Sequence, residues 1–242
     1  MNLLLKLKPM CLSAMLACAL FSQAHAAFIT NGGFESGFTG WTRMNQVGSE
    51  GTFALQTGAV SPVNLDPVPA PPQGTTAAMT DAQGPGSHVL FQNFTVTAPV
   101  ALAMLTFDVF VGNRGPAFFS PATLDFATPT LNQQARVDIL AGGVNAFSVA
   151  AADVLQNAFQ TNPGDPLVSG YNHRSVNITA LLNSHLNTPL MLRFAEVDNV
   201  FTFQFGVDNV DIQVGQAVPE PSTWMMTLGA VLGLFRLRRR FR

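Results

Sequence analysis

From about residue 50 to residue 214, apolar side chains recur at every second position or in short bounded runs, the period of strands. Eight strands are predicted, over 52–57, 76–80, 89–97, 103–111, 135–140, 174–178, 190–197 and 201–214. In Arg136-Val137-Asp138-Ile139 and in Phe201-Thr202-Phe203-Gln204-Phe205 polar and apolar side chains fall on opposite faces. Between the strands lie turn and loop signals: the proline-rich stretch 61–74, Gly84-Pro85-Gly86, residues 112–129, Gly142-Gly143 and Asn162-Pro163-Gly164-Asp165-Pro166. Helical turns are expected only at 150–159 and 179–185. The stretch 61–74 has too little chain before it to be a domain linker, so it is expected to be a long surface loop. No repeat of 20 to 50 residues is visible, which argues against a propeller or solenoid. The pattern predicts an all-β, antiparallel β-sandwich, with jelly-roll topology preferred.

The two ends break this pattern. Lys6 and Lys8 precede an apolar run from Met10 to Phe21 and the small-residue signal Ala24-His25-Ala26, the layout of a secretory signal peptide cut between Ala26 and Ala27. Acylation at Cys18 is an alternative, weakened because the apolar run continues through Phe21. At the other end, Trp224 to Phe235 carries no charge and is followed by Arg236, Arg238, Arg239, Arg240 and Arg242. As a helix this run covers only ~18 Å of a hydrocarbon core of ~30 Å. Flanking residues lengthen the membrane contact to 222–237, and the arginines favour the cytoplasmic side. A terminal core helix is the alternative, but Pro219 and Pro221 disconnect the run from the preceding strand. The expected organisation is a signal helix over 1–26, a β-sandwich over 27–215 and a tail over 216–242 with a short apolar helix.

Charge and cysteine content narrow the partners. The whole chain has a formal net charge of −2, but between Ala27 and Val218 five arginines stand against thirteen acidic residues, a net charge of −8 with no lysine. Such a domain lacks the basic surface that nucleic acids and anionic lipids require, and it suits cations and neutral glycans. Cys11 and Cys18, the only cysteines, lie in the signal segment, so no disulfide is expected in the exported part.

Pro219-Glu220-Pro221, the apolar run and the arginines from Arg236 onward resemble the PEP-CTERM sorting signal of Gram-negative bacteria. That resemblance implies export through the translocon and an inner-membrane intermediate. It further implies processing by an exosortase, a membrane transpeptidase-like enzyme, and delivery to the cell surface or exopolysaccharide matrix. It concerns the last tenth of the chain and gives destination, not activity.

A second resemblance joins the two ends of the central domain. Ile29-Thr30-Asn31-Gly32-Gly33-Phe34-Glu35 through Trp41-Thr42 resembles the opening of galactose-binding-like jelly rolls, among them several carbohydrate-binding modules. Phe205-Gly206-Val207-Asp208-Asn209-Val210-Asp211-Ile212 resembles their closing strand. The glycines of Asn31-Gly32-Gly33 are expected to supply a tight turn with positive φ, setting Phe34 inward and Glu35 away. With first and last strands adjacent, Glu35 and Asp208 are expected to meet and offer hard oxygen ligands to a structural Ca²⁺, which the resemblance implies. The alternative is that Glu35 accepts a turn amide and Asp208 caps the Asp208–Asn209 bend. Trp41 either stacks on a sugar or packs into the core.

Other chemistry is sparse. Asp198-Asn199 reads as a hairpin turn between the last two strands, and His88, His173 and His185 as surface or turn residues without metal-ligand spacing. Ser87 and His88 point to opposite faces of a strand and make a poor catalytic pair. No nucleotide-binding glycine loop or nucleophile elbow is present. The sequence supports a non-catalytic cell-surface or exopolysaccharide-matrix protein first. A lectin-like module ranks second, since Trp41 and Tyr171 are the domain's only tryptophan and tyrosine. A glycan-active enzyme ranks third, because it needs two facing carboxylates ~5 to 9.5 Å apart.

Overall fold

The computed structural model describes residues 28–215. The signal segment with its Ala26/Ala27 junction, and the tail with Pro219, Glu220, Pro221 and the arginines, lie outside the described residues. Ten strands and one short helix follow in order: β1 (Thr42–Asn45), β2 (Thr52–Thr57), β3 (Thr76–Asp81), β4 (Gly86–Thr95), β5 (Leu102–Asn113), β6 (Gln133–Ala141), β7 (Val154–Gln160), β8 (Asn172–Asn177), α1 (Thr179–Ser184), β9 (Pro189–Asp198) and β10 (Phe203–Gly215).

They form two five-stranded sheets, ordered β1-β4-β9-β6-β7 and β2-β3-β10-β5-β8, and every pairing is antiparallel. Successive strands from β3 to β10 give the orders β3-β10-β5-β8 and β4-β9-β6-β7, the double Greek key of an eight-stranded jelly roll. β1 and β2 extend the wrap, one strand on each sheet beside β4 and β3.

Alternation explains the core. Phe203, Phe205 and Val207 of β10 point between the sheets and pack with Phe107, Val137, Leu192 and Phe194, while Gln204, Gly206 and Asp208 face outward. A β-bulge between Asp208 and Asp211, with Asn209 at φ 51°, shifts the phase so that Val210 and Ile212 also turn inward. The outer faces are covered as well. Leu124 and Ala146 close over Val89, Leu140 and Met191 on one sheet, and Val68 from the proline-rich loop packs on Met79 and Phe110 of the other.

Both ends of the described chain lie at one end of the sandwich. Phe28 packs on Phe94 at the close of β4, and Gly215 pairs with Leu102 at the start of β5. The connections 114–132, 161–171 and 199–202 gather at the opposite end.

Three expectations change. The segment 150–159, expected as helical turns, delivers β7, because pairing with β6 overrides the helix preference of Ala150, Ala151 and Leu155. β1 was not predicted: all four of its residues are exposed and polar or flexible. Asp198 and Asn199 do not form a hairpin, since β9 and β10 belong to different sheets and the chain crosses between them there.

Candidate functional site

The opening and closing motifs do meet. Gly32 lies so close to the Val210 carbonyl that a Cβ there would overlap it, and Val210 N–H donates to the Gly32 carbonyl at 3.0 Å. In this turn positive φ falls on Asn31 (54°) and Phe34 (57°), not on Gly32 or Gly33, so Gly32 serves close approach rather than turn conformation. Asn31 holds the loop, its Nδ2 donating to the Gly37 carbonyl at 2.8 Å and its Oδ1 accepting from Ser36 N–H at 3.1 Å.

Glu35 and Asp208 converge on one segment, 73–76. Glu35 Oε1 accepts the N–H groups of Thr75 (2.8 Å) and Thr76 (2.9 Å), and its Oε2 accepts the Thr75 hydroxyl (2.9 Å). The backbone and side-chain bonds from Thr75 hold the Glu35 carboxyl below the usual carboxylate range. Asp208 Oδ2 accepts Gln73 N–H (3.1 Å) and Oδ1 accepts Asn209 N–H (2.7 Å). Burial pushes the Asp208 carboxyl up to about 6, against these amides and with the charges of Asp108 and Glu35 adding to it.

All four carboxylate oxygens thus take N–H or O–H donors, whose positive ends disfavour a cation in the same place. Among the described residues no group of three or more His, Cys, Asp or Glu is arranged to hold a metal. The pair fits a hydrogen-bonded clasp on the 73–76 turn rather than a calcium cage.

For Trp41 the core alternative holds and the sugar-stacking one is corrected. It is 7% exposed, lies 5.4 Å from the Phe34 ring and 5.9 Å from that of Phe194, and donates its indole N–H to the Asn31 carbonyl at 3.0 Å. Buried against these rings and with its polar edge engaged, it is part of the core and not a platform for a ligand. His88 is also corrected: it is buried at the β1–β4 junction, Nδ1 2.9 Å from Asn45 Oδ1, and burial lowers its pKa to about 4. His173 lies 2.9 Å from Asp108 Oδ1 on the outer face of β8.

Sequence reasoning missed a cleft of about 480 Å³ between the facing edge strands β7 and β8, beneath the 161–171 connection. Val109, Val111, Phe118 and Phe159 form its apolar floor. Asn172 and Arg174, two apart on β8, pair with Val109 and Phe107 and therefore share their inward face; at an edge strand this sets them on the rim. Asp165 joins them from the connection. The Arg174 guanidinium lies over the Phe159 ring, 5.3 Å from its centre, and Phe159 stacks parallel to Phe205 at 6.4 Å. The alternation of Asn172 and Arg174 was visible in the sequence, but nothing in it showed that β7 would face β8.

Comparison with known proteins adds the tail. Residues 217–240 match the family described as the PEP-CTERM protein-sorting motif. No curated protein matches the chain. Solved structures similar in fold include TmCBM61 in complex with β-1,4-galactotriose (12% identity, TM-score 0.45, covering 78% of this chain and 99% of that one). They also include the K3 cleaved adhesin domain of Lys-gingipain from Porphyromonas gingivalis W83 (13%, 0.47, 78% and 100%). A third is the Stig cyclase Fisc from Fischerella sp. TAU (19%, 0.44, 79% and 100%). At these identities and scores none of the three says what this chain binds.

Proposed function

We propose that this chain is an exported, non-catalytic surface protein of a Gram-negative bacterium, sorted by an exosortase and displaying its jelly roll within or against exopolysaccharide. The sorting motif carries the reading: it begins at residue 217, two residues after β10 ends. A chain held by that tail has the Gly215 end of the sandwich toward the membrane and the loops 114–132, 161–171 and 199–202 away from it.

A binding role is favoured over catalysis by the state of Asp108 and Asp208, the carboxylates that face each other across β5 and β10. Both are buried, and all four of their oxygens are taken by His173, Asn209 and Gln73. An acid or base for glycoside chemistry needs an oxygen that reaches substrate.

Intact mass of the protein recovered from cell envelope and medium tests the proposal. A mature chain beginning near Ala27 and ending near Pro219–Pro221, lost when the exosortase is deleted, is the expected result. Retention of Arg242 in the surface-exposed form overturns it.

A further inference from the structure

We infer that the cleft between the β7 and β8 edges is a binding site for a neutral glycan, an inference that deepens the surface-protein reading and rests on it. A volume of about 480 Å³ lies within the ~300–1,000 Å³ typical of ligand sites and admits more than one sugar ring. Its composition is that of a sugar's complement: an apolar floor for the C–H face of a pyranose and planar polar groups at the rim for its hydroxyls.

Each rim residue keeps hydrogen-bonding capacity in reserve. Arg174 makes no hydrogen bond or ion pair among the described residues, while its stacking on Phe159 fixes the plane of its donor fork. Asn172 spends its Nδ2 on the Gly170 carbonyl (2.8 Å) and leaves its side-chain carbonyl as an acceptor. Asp165 accepts Asn162 N–H (2.8 Å) through Oδ2 and leaves Oδ1. Donors and acceptors side by side suit vicinal hydroxyls, each of which both donates and accepts.

Charge selects the neutral class. Asp165 and Arg174 offset each other at the rim, so the cleft has no surplus positive charge to hold a uronate chain. The surrounding domain, at net −8, repels polyanions. Phe159, already covered by Arg174 and stacked on Phe205, is part of the seat and not a free stacking platform.

The test uses the full chain in zwitterionic detergent, since sugar-headed detergents compete, titrated with neutral hexose tetrasaccharides and with oligouronates. Saturable binding of at least one neutral member is expected, with Asn172→Ala and Arg174→Ala each weakening Kd by about tenfold or more at unchanged melting temperature. Arg174→Lys, which keeps the charge but loses the fork, is expected to weaken it as well. Binding of oligouronates alone, binding that both alanine variants leave intact, or no binding of any neutral member overturns the inference. Correct sorting in those cases leaves the surface-protein reading standing, whereas missorting of the unmodified chain strikes at that reading itself.

Discussion

Asp108 and Asp208 stand directly opposite each other across β5 and β10, in register, on the same outer face of the sheet. Like charges so placed oppose sheet pairing. The bulge residue Asn209 separates them chemically, its backbone N–H serving Asp208 (2.7 Å) and its side-chain amide serving Asp108 (3.2 Å). The bulge therefore does two things at once: it restores the inward phase of Val210 and Ile212, and it supplies donors to a buried acid pair.

The pair predicts a pH effect of definite sign. The folded-state pKa of Asp208 is raised to about 6, chiefly by burial, so its contribution is fully present below the unfolded value of ~3.9 and is lost as pH rises through 6. Asp108→Asn removes the opposing charge and retains a partner for both Asn209 and a re-oriented His173 imidazole. Its Asp208 carboxyl is expected to titrate lower by NMR, and its loss of stability between pH 4 and 7 to shrink by about 0.5 kcal/mol. An unchanged Asp208 titration refutes the coupling.

Glu35 predicts the opposite slope. Its pKa is lowered by the Thr75 and Thr76 bonds, so its contribution exists above the unfolded value of ~4.3 and disappears as pH falls through the folded value. Glu35→Ala is expected to lower the melting temperature at pH 7 and to converge with the parent in acid. Gly74→Ala is expected to destabilise by about 1 kcal/mol or more, since Gly74 has φ 63° and a Cβ there would strike the Glu35 carboxylate. Millimolar calcium or a chelator is expected to leave the parent's melting temperature unchanged. A calcium-dependent rise that Glu35→Ala abolishes would replace the clasp with a metal site.

Legibility in the sequence followed the period of the side chains. β10 and β6 could be read because Phe203, Phe205, Val137 and Ile139 alternate with polar residues, and burial of one face makes that pattern obligatory. β1 and β7 could not: each is a sheet edge, and β7 carries two register shifts against β6 that break its alternation. The meeting of Gly32 with Val210 was legible because two motifs announced it, while the choice between metal and amide for Glu35 turned on the 73–76 backbone, which no side-chain pattern encodes. The cleft was hidden for the same reason, as it depends on which edges the topology stacks.

Asp138 is the residue whose loss is expected to cost most. Burial pushes its carboxyl up, but the hydrogen bond from Arg136 and the charges of Arg193 and Arg136 outweigh that and hold it below the usual range. Arg136 binds it bidentately at 2.7 Å from Nε and from Nη2, Arg193 donates to Oδ2, and Asn157 donates at 2.8 Å. Arg193 then reaches the Ala146 and Ser148 carbonyls at 2.6 Å each, pinning the loop that covers this face. Asp138→Ala strands two largely or fully buried guanidinium groups and is expected to destabilise by about 3–5 kcal/mol in urea unfolding. A loss under ~1 kcal/mol would mean that the loop reorganises to hydrate Arg193.

Glu196 and Asp198 form the last titrating pair, two residues apart on the inward face of β9. Glu196 is buried, with Oε1 lacking a hydrogen-bond partner among the described residues, and burial with the nearby Asp198 charge raises its pKa well above the carboxylate range. Asp198 accepts Gly86 N–H at 2.8 Å, yet burial, with the Glu50 charge adding to it, raises its pKa to about 7. Both contributions are fully present below ~4 and are lost as pH rises, Asp198 through 7 and Glu196 above its ordinary range. His88, paired across the strands with Glu196 and lowered to about 4 by burial, works the other way, its neutral form favouring the fold as pH climbs from 4 to ~6.5. Comparison of variants separates them. Asp198→Asn is expected to flatten the fall between pH 4 and 7 by on the order of 2–4 kcal/mol, and Glu196→Gln to match the parent in acid but exceed it in alkali. Parallel stability curves for Glu196→Gln and the parent from pH 5 to 9 would show that Glu196 is ionised in the folded state as it is in the unfolded one, and would transfer the whole slope to Asp198 and Asp208.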